Sequence, residues 1–275
     1  MLAMLLTAAT MFHGTFHAEV SGQGPAMIFI PGLSSAGEVW DGVVAHEKAH
    51  HQCHVLTLAG FAGLPAIAPP FLKTVRTELA AYIREHKLEK PVIVGHSLGG
   101  FLALMLAEEE PALVGPVVIV DSLPFLPAAQ YPGATVESSR PYAEQMKAML
   151  AAQSPEQRKA QLRATLHSMI TDPKQVERAA QWGDASDPAA VGNAMAELMT
   201  TDLRPGLAKV KSRTLVVGSW IGLKGMVTRE QMEATYRGQY DGLPGVKVVM
   251  HPTAKHFIML DDLQGLLTEV DGFLR

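Results

Sequence analysis

The sequence of 275 residues has little cysteine and little charge. Its single cysteine, Cys53, can form neither an internal disulfide nor a CxxC metal or redox motif. Charged residues make up only 18% of the chain, the formal net charge is −4, and no long run of Lys and Arg occurs. This composition argues against a nucleic acid or an anionic membrane as a partner held by charge.

Long hydrophobic runs are also lacking. No uninterrupted apolar stretch reaches the roughly 20 residues that a membrane-spanning helix requires, so we expect no integral membrane span. Residues 1–11 are almost wholly apolar, but no Lys or Arg precedes them and no clean A-x-A site follows. We interpret residues 1–14 as either a secretory leader or an N-terminal helix. A leader would direct the protein to the periplasm or outside the cell, and a helix would leave it in the cytoplasm.

What the sequence does contain is a pattern of alternating strands and helices. Hydrophobic residues make up 48% of the chain, enough for a large core. Continuous apolar runs at 91–95, 116–121, 214–218 and 246–250 are typical of strands covered on both faces. Helical spacing lies between them, which predicts an α/β fold with a mostly parallel central sheet flanked by helices. Residues 16–20 and 26–30, joined by a Gly-rich turn, predict a β-hairpin.

One segment, residues 123–205, has no strand pattern. Its helix starts are clear, because Ser154-Pro155, Asp172-Pro173 and Asp187-Pro188 each place a capping residue before a proline. We predict a helical cap inserted into a core formed by residues 15–122 and 206–275. The insertion contains several methionines, which either pack its own core or form an adaptable pocket wall. These are Met146, Met149, Met195 and Met199.

The strongest local signal is the sequence Gly95-His96-Ser97-Leu98-Gly99-Gly100, which follows a predicted strand and opens a predicted helix. A sharp strand-to-helix turn strains the serine and exposes its oxygen. Glycines on either side leave room for the turn, and the helix N-terminus directs free N–H groups at developing negative charge. The alternative is an ordinary glycine turn with a capping serine.

This motif resembles the nucleophile elbow of the α/β-hydrolase fold, in its lipase and esterase-like branch. The resemblance runs from about residue 16 to the C-terminus and includes the early strands, the Pro31-Gly32 turn, the elbow, the helical cap and a late histidine. It implies that Ser97 is a nucleophile and that a histidine after the last strand is its base. His256 fits that position, and His251, closer to the end of the strand, is the alternative.

The acid partner is less obvious. Many members of the family carry Asp after the penultimate strand, but here that edge reads Gly218-Ser219-Trp220 and has no carboxylate. A minority place the acid one strand earlier, where this chain has Asp121. The helix after the elbow carries the chain about 20 Å away, and the next strand returns it about 17 Å. We therefore predict Asp121 as the acid, with a turn-capping role as the alternative. Glu230 and Asp241 are further candidates.

The resemblance also implies an oxyanion hole and a substrate pocket. The backbone N–H groups of Leu98 and Leu33 are the predicted oxyanion donors. Five side chains are candidates for contact with the substrate, although Trp40 is also a candidate for the core. They are His96, Trp40, Phe125, Leu126 and Tyr131.

We predict no metal site and no cofactor. His50, His51 and His54 lead into a strand rather than along a helix face, which favours a solvated histidine cluster. The sequence therefore predicts a serine hydrolase acting on a small-molecule ester, and carboxylesterase is the activity we expect. Lactonase, thioesterase and C–C hydrolase activities are alternatives within the fold, and a non-catalytic ligand-binding protein is the competing class. The sequence does not indicate an oligomeric state.

Overall fold

The computed structural model describes residues 9–275, and eight strands of this range form one sheet. They are β1 (Ala9–His13), β2 (Phe16–Gly22), β3 (Ala26–Ile30), β4 (Gln52–Leu58), β5 (Val92–His96), β6 (Val117–Val120), β7 (Thr214–Gly218) and β8 (Lys247–Met250). Their order across the sheet is β1-β2-β4-β3-β5-β6-β7-β8. All neighbours from β4 to β8 are parallel, so the predicted α/β class is confirmed.

The predicted hairpin between residues 16–20 and 26–30 is wrong. β2 pairs antiparallel with β4 and with β1, whereas β3 lies between β4 and β5 as a parallel strand. Every residue of β3 is buried, which suits a central position better than one at a sheet edge. The antiparallel hairpin is instead β1–β2. The chain therefore continues as a strand over Ala9–His13, not as the helix considered for residues 1–14, and residues 1–8 lie outside the described range.

Helices cover both faces of the sheet and bury two hydrophobic clusters against it. One cluster includes side chains of the helices Phe71–Glu85, Leu98–Glu109 and Arg229–Tyr240, and the other includes side chains of the helices Asp41–Glu47, Ile258–Asp261 and Leu263–Leu274. In each case the apolar face of a helix packs on strands that are buried on that side. These helices are α1 (Asp41–Glu47), α2 (Phe71–Glu85), α3 (Leu98–Glu109), α8 (Arg229–Tyr240), α9 (Ile258–Asp261) and α10 (Leu263–Leu274).

Four further helices lie between β6 and β7. They are α4 (Val136–Ala152), α5 (Pro155–Met169), α6 (Pro173–Asp184) and α7 (Pro188–Thr200). Ser154, Asp172 and Asp187 each accept a hydrogen bond from a backbone N–H of the first turn, as their position before proline predicts. Among the described helices, none is both long and apolar enough to cross a bilayer.

The four methionines singled out in this segment differ in their surroundings. Met199 is buried with Ala143 and Ala196 where α4 meets α7, and Met146 and Met195 pack against the same small cluster. Met199 and Met146 therefore pack within the helical segment itself, whereas Met195 also packs against the main core cluster. Met149 is 57% exposed on the outer side of α4.

Candidate active site

The turn between β5 and α3 holds Ser97 in an unusual backbone conformation. Its φ is 51° and its ψ is −118°, outside the regions that L-residues ordinarily occupy. The Ser97 N–H donates to the carbonyl oxygen of Val120 on β6 at 2.9 Å, which fastens the strained turn to the neighbouring strand. Ser97 itself is only partly buried. Such strain persists only where the surroundings fix it, and it is concentrated at functional sites.

Two glycines leave room for this turn. A Cβ atom on Gly95 would overlap the carbonyl group of Gly99, and one on Gly99 would overlap that of Ile30 at the end of β3. Both contacts are with backbone, which cannot rotate away as a side chain could. The close approach of β3, β5 and α3 therefore requires glycine at both positions.

The loop after β3 lies directly against the turn. A Cβ placed on Gly32 would lie 3.3 Å from the Ser97 Cβ and 2.9 Å from the His96 Nδ1. The partly buried Leu33 follows Gly32 in this loop. The N–H of Leu98 belongs to the first residue of α3 and so has no acceptor within the helix. Both predicted oxyanion donors therefore belong to backbone that borders Ser97.

His256 and Asp121 are brought together at the same edge of the sheet. The His256 Nδ1 lies 2.5 Å from the Asp121 Oδ2, and the two side chains are 23% and 8% exposed. Asp121 follows β6, and His256 follows β8 in the connection to α9. Because a carboxylate only accepts hydrogen bonds, the Nδ1–H of His256 is the donor, and in the neutral form of the ring Nε2 carries a free lone pair.

Asp121 accepts four hydrogen bonds in all. Its Oδ1 accepts from the N–H of Ser219 at 2.5 Å and from the hydroxyl of Tyr236 at 2.6 Å. Its Oδ2 accepts from the Ser219 hydroxyl at 2.8 Å as well as from His256. Burial opposes ionisation, but the hydrogen bonds and the charge of His256 outweigh it and lower the pKa of Asp121. The carboxylate is therefore held ionised in a buried position.

Sequence reasoning missed Ser219 and Tyr236. Ser219 directly follows β7, which is the place where the resembled family most often carries its acid. This position could have predicted a role for Ser219 in the site, because a serine there can hydrogen-bond to a carboxylate at the end of the adjacent strand. Tyr236 lies on α8, and the spacing of that helix does not distinguish a tyrosine that supports the site from one that fills the core.

His96 lies behind His256 rather than on open surface. It is fully buried, its ring centroid is 4.6 Å from that of His256, and its Nε2–H donates to the His256 carbonyl oxygen at 3.1 Å. Burial and the neighbouring His256 charge lower the pKa of His96 well below its ordinary value. Trp40 is also fully buried, packs against Phe29, and turns an edge toward His96. It occupies the core position considered for it in the sequence.

The alternative base, His251, faces the backbone of its own loop. It is 2% exposed, and its Nδ1 accepts from the N–H of Ala254 at 3.1 Å. Burial lowers the pKa of His251, against the opposing charges of nearby carboxylates. The other candidate acids, Glu230 and Asp241, are exposed at the two ends of α8.

The remaining pocket candidates differ in exposure. Phe125 is fully buried beneath the Arg204 guanidinium, which lies 4.7 Å from the ring centroid. Leu126 is 37% exposed and Tyr131 is 71% exposed. All three belong to the connection that leaves the sheet after Asp121 and leads to α4.

The expected solvated histidine cluster is only partly correct. His50 is exposed, and His51 is half-buried beside Glu47. His54 is 2% exposed, and its Nδ1 accepts from the Tyr82 hydroxyl at 2.6 Å. The reason is the strand alternation of β4, which turns this side chain into the core beneath α2.

Ser97 and His256 do not yet form a hydrogen bond to each other. The His256 ring donates to Asp121 through Nδ1–H, and the backbone carbonyl oxygen of His256 accepts from the His96 ring. Contacts between a nucleophile and its base are often long without substrate and tighten when it binds. The arrangement comprises a strained serine, a carboxylate-oriented imidazole and free backbone N–H groups at one sheet edge, which together suit acyl transfer.

Comparison with known proteins gives the same class. A profile of the alpha/beta hydrolase family matches residues 27–268. The chain therefore belongs to this family.

Curated relatives are similar over part or most of the chain. A pimeloyl-[acyl-carrier protein] methyl ester esterase from Vibrio vulnificus is 30% identical over 131 residues, 47% of this chain and 50% of that protein. The matched region thus spans half the length of this relative. The Nitrosomonas europaea protein of the same name is 26% identical over 88% of this chain and 92% of its own.

Among solved structures, an enol-lactonase from Burkholderia xenovorans LB400 superposes with a TM-score of 0.77. The superposition covers 97% of this chain and 99% of that one at 17% identity. At this identity the similarity extends to the fold alone.

Proposed function

We propose that the protein is a serine hydrolase that cleaves carboxylic esters through an acyl-enzyme on Ser97. The observation that carries the proposal is the His256–Asp121 pair, with 2.5 Å between Nδ1 and Oδ2, at the sheet edge that also bears the strained Ser97 turn. A carboxylate that accepts from Nδ1–H fixes the imidazole tautomer and stabilises the cation that forms during catalysis.

The first half of the reaction forms the acyl-enzyme. Ser97 Oγ attacks the ester carbonyl carbon while His256 Nε2 takes the hydroxyl proton. The N–H groups of Leu98 and Leu33 stabilise the resulting oxyanion. The carbon–oxygen bond to the alcohol then breaks, and the leaving alkoxide receives the proton from His256.

The second half regenerates the enzyme. A water molecule gives a proton to His256 and attacks the acyl carbon. The bond to Ser97 Oγ breaks, the serine recovers its proton, and the carboxylic acid leaves. Asp121 stays ionised throughout, which is consistent with its lowered pKa.

The substrate is proposed to be a small ester with a partly apolar acyl or alkyl group. Relatives named as methyl ester esterases support an ester rather than an amide. Residues 123–205 would act as a cap, and the apolar side chains that begin it would contact the substrate. These are Phe125, Leu126 and Tyr131.

The experiment is a substrate panel given to the wild-type protein and to Ser97→Ala. The panel contains acyl esters of increasing chain length, a lactone, a thioester and a substrate for C–C hydrolysis. We expect the highest kcat/KM on an ester and no turnover by Ser97→Ala. A preference for the lactone, the thioester or C–C cleavage would replace the proposed substrate class. If folded wild-type protein hydrolyses none of these substrates, the non-catalytic ligand-binding class would be favoured.

A further inference from the structure

A cluster of potential metal ligands lies away from the active site, where the β1–β2 hairpin meets the end of α2. His13 closes β1, Glu85 ends α2, and His86 is its C-cap residue. One ring nitrogen of each histidine and one carboxylate oxygen of Glu85 all lie within 4.8 Å of one another. Sequence reasoning missed this group because its members are distant in the chain and only the fold brings them together.

One imidazole nitrogen of these residues lacks a partner. The Nε2 of His86 is buried and makes no hydrogen bond to any described residue. A buried polar atom without a partner is costly, and in a native fold a water molecule or an ion commonly satisfies it. Tyr82 packs against this ring at 4.4 Å between centroids, but its hydroxyl donates to His54 and does not serve His86.

The surrounding packing holds the two imidazoles in place. The His13 ring lies 5.4 Å from the His86 ring and 4.6 Å from the Tyr82 ring, edge-on to both, and stacks on Phe16. Glu85 is exposed and so can rotate toward the imidazoles. Tetrahedral zinc holds its ligand atoms roughly 3.4 Å apart, so ligand atoms that lie within 4.8 Å of one another need to approach by at most about 1.4 Å to bind one ion.

We propose that His13, Glu85 and His86 bind one Zn²⁺ ion, with water as the fourth ligand. Two neutral imidazoles and a carboxylate form a ligand set that suits zinc and the neighbouring late first-row divalent metals, whereas Mg²⁺ and Ca²⁺ prefer oxygen ligands alone. The ion would tie the β1–β2 hairpin to α2 and so stabilise the end of the described sheet.

The proposed ion has no part in ester hydrolysis. β1 is separated from β5 by β2, β4 and β3, which at the usual spacing of strands places them about 19 Å apart. Removal of the metal should therefore lower stability without abolishing turnover.

A second cluster, His46, Glu47 and Asp271, is a less suitable site and provides a control. The His46 Nε2 lies 3.2 Å from both carboxylate oxygens of Asp271, and Glu47 pairs with His51 at 2.9 Å. His46 and Asp271 thus already pair with each other and Glu47 pairs with His51, although the Glu47 Oε1 is buried without a partner among the described residues. His17 is a further control, because strand alternation places it on the opposite face of β2 from Phe16, which packs on α2.

The test uses untagged, chelator-treated full-length protein titrated with Zn²⁺ by calorimetry and thermal unfolding. We expect one ion per chain and a rise in Tm of roughly 5 °C at saturation. His13→Ala and His86→Ala should abolish both effects, whereas His46→Ala and His17→Ala should retain them. Absence of binding, or binding that survives in His13→Ala and His86→Ala, would overturn the proposal.

A milder variant guards against loss of folding. Glu85 is exposed, so Glu85→Gln should fold normally and lower the Zn²⁺ affinity at least tenfold. In the wild-type protein, bound Co²⁺ should shift and broaden the imidazole proton resonances of His13 and His86 but not those of His46. Unchanged affinity in Glu85→Gln, or broadening confined to His46, would contradict the site.

Discussion

The Nδ1 atom of His256 lies 2.5 Å from the Oδ2 atom of Asp121, although the two residues follow different strands, β8 and β6. The strand between them, β7, ends with Ser219, whose N–H and hydroxyl both donate to the same carboxylate. Three consecutive strand ends therefore fix one imidazole. The proposed chemistry depends on this arrangement, and the predictions below test its parts.

Asp121→Asn should lower kcat by a factor on the order of 10⁴, because an amide supports the wrong imidazole tautomer. Steady-state kinetics on the best ester checks this. The variant should fold but melt at a lower temperature, since one amide oxygen replaces two carboxylate oxygens that accept four hydrogen bonds. Near-normal turnover would show that another group is the acid.

Tyr236→Phe removes one donor from Asp121 and should raise the pKa of that carboxyl group. We expect kcat to fall roughly tenfold with KM little changed. Tyr240→Phe is the matched control, because the Tyr240 hydroxyl is also buried on α8 but donates to the carbonyl oxygen of Ser122 at 2.8 Å. Both variants should lose similar stability in thermal unfolding. Equal losses of kcat in the two variants would mean that Tyr236 supports the fold and not the carboxylate.

His256→Ala should nearly abolish ester turnover, because within residues 9–275 the imidazole that hydrogen-bonds to Asp121 is that of His256. His251→Ala should keep most of the turnover but unfold at a lower temperature, because the His251 ring accepts the Ala254 N–H within its buried loop. Turnover and Tm of both variants check this. The opposite pattern would exchange the roles of the two histidines.

Acidification should destabilise the fold through His54. Burial lowers the pKa of this histidine from 6.5 to about 4, so between these values the unfolded chain binds a proton that the folded chain does not. Its contribution is complete above pH 6.5 and is lost as the pH falls toward 4. His96 and His251, whose pKa values are also lowered, act in the same direction.

Denaturant unfolding of His54→Gln at pH 7 and pH 5 measures this effect. The difference in unfolding free energy between the two pH values should shrink by about 2 kcal/mol relative to wild type. His50→Gln, at an exposed position in the same segment, should leave the difference unchanged. An unaltered pH dependence in His54→Gln would contradict the assigned cause.

Local patterns in the sequence were enough to predict the elements of the core. Buried strands such as β5 and β7 are recognisable as continuous apolar runs. The helix starts at Ser154, Asp172 and Asp187 are predictable because each residue caps the first turn and the proline after it suits the first helical position. The pairing of β3 was not predictable in this way. Its neighbours, β4 and β5, are reached only by crossover connections, and a short turn before β3 resembles a hairpin whichever strand it later joins.

The candidate site follows the same division. Ser97 was found through a short motif, and Asp121 and His256 through their places at strand ends. Tyr236 lies on a helix that packs on the face of the sheet. The spacing of residues within α8 does not predict which of its side chains contacts Asp121. Contacts between distant segments, like those of His13 with His86, depend on the packing of whole elements.

The most direct test of the central claim is covalent labelling by a fluorophosphonate probe, followed by mass spectrometry of the labelled peptide. The probe reacts with a serine only when a base and an oxyanion hole activate it. We predict one probe per chain on Ser97, no label in Ser97→Ala, and full labelling in the exposed-serine control Ser138→Ala. Folded wild-type protein that takes up no probe, or takes it up at another serine, would contradict the account.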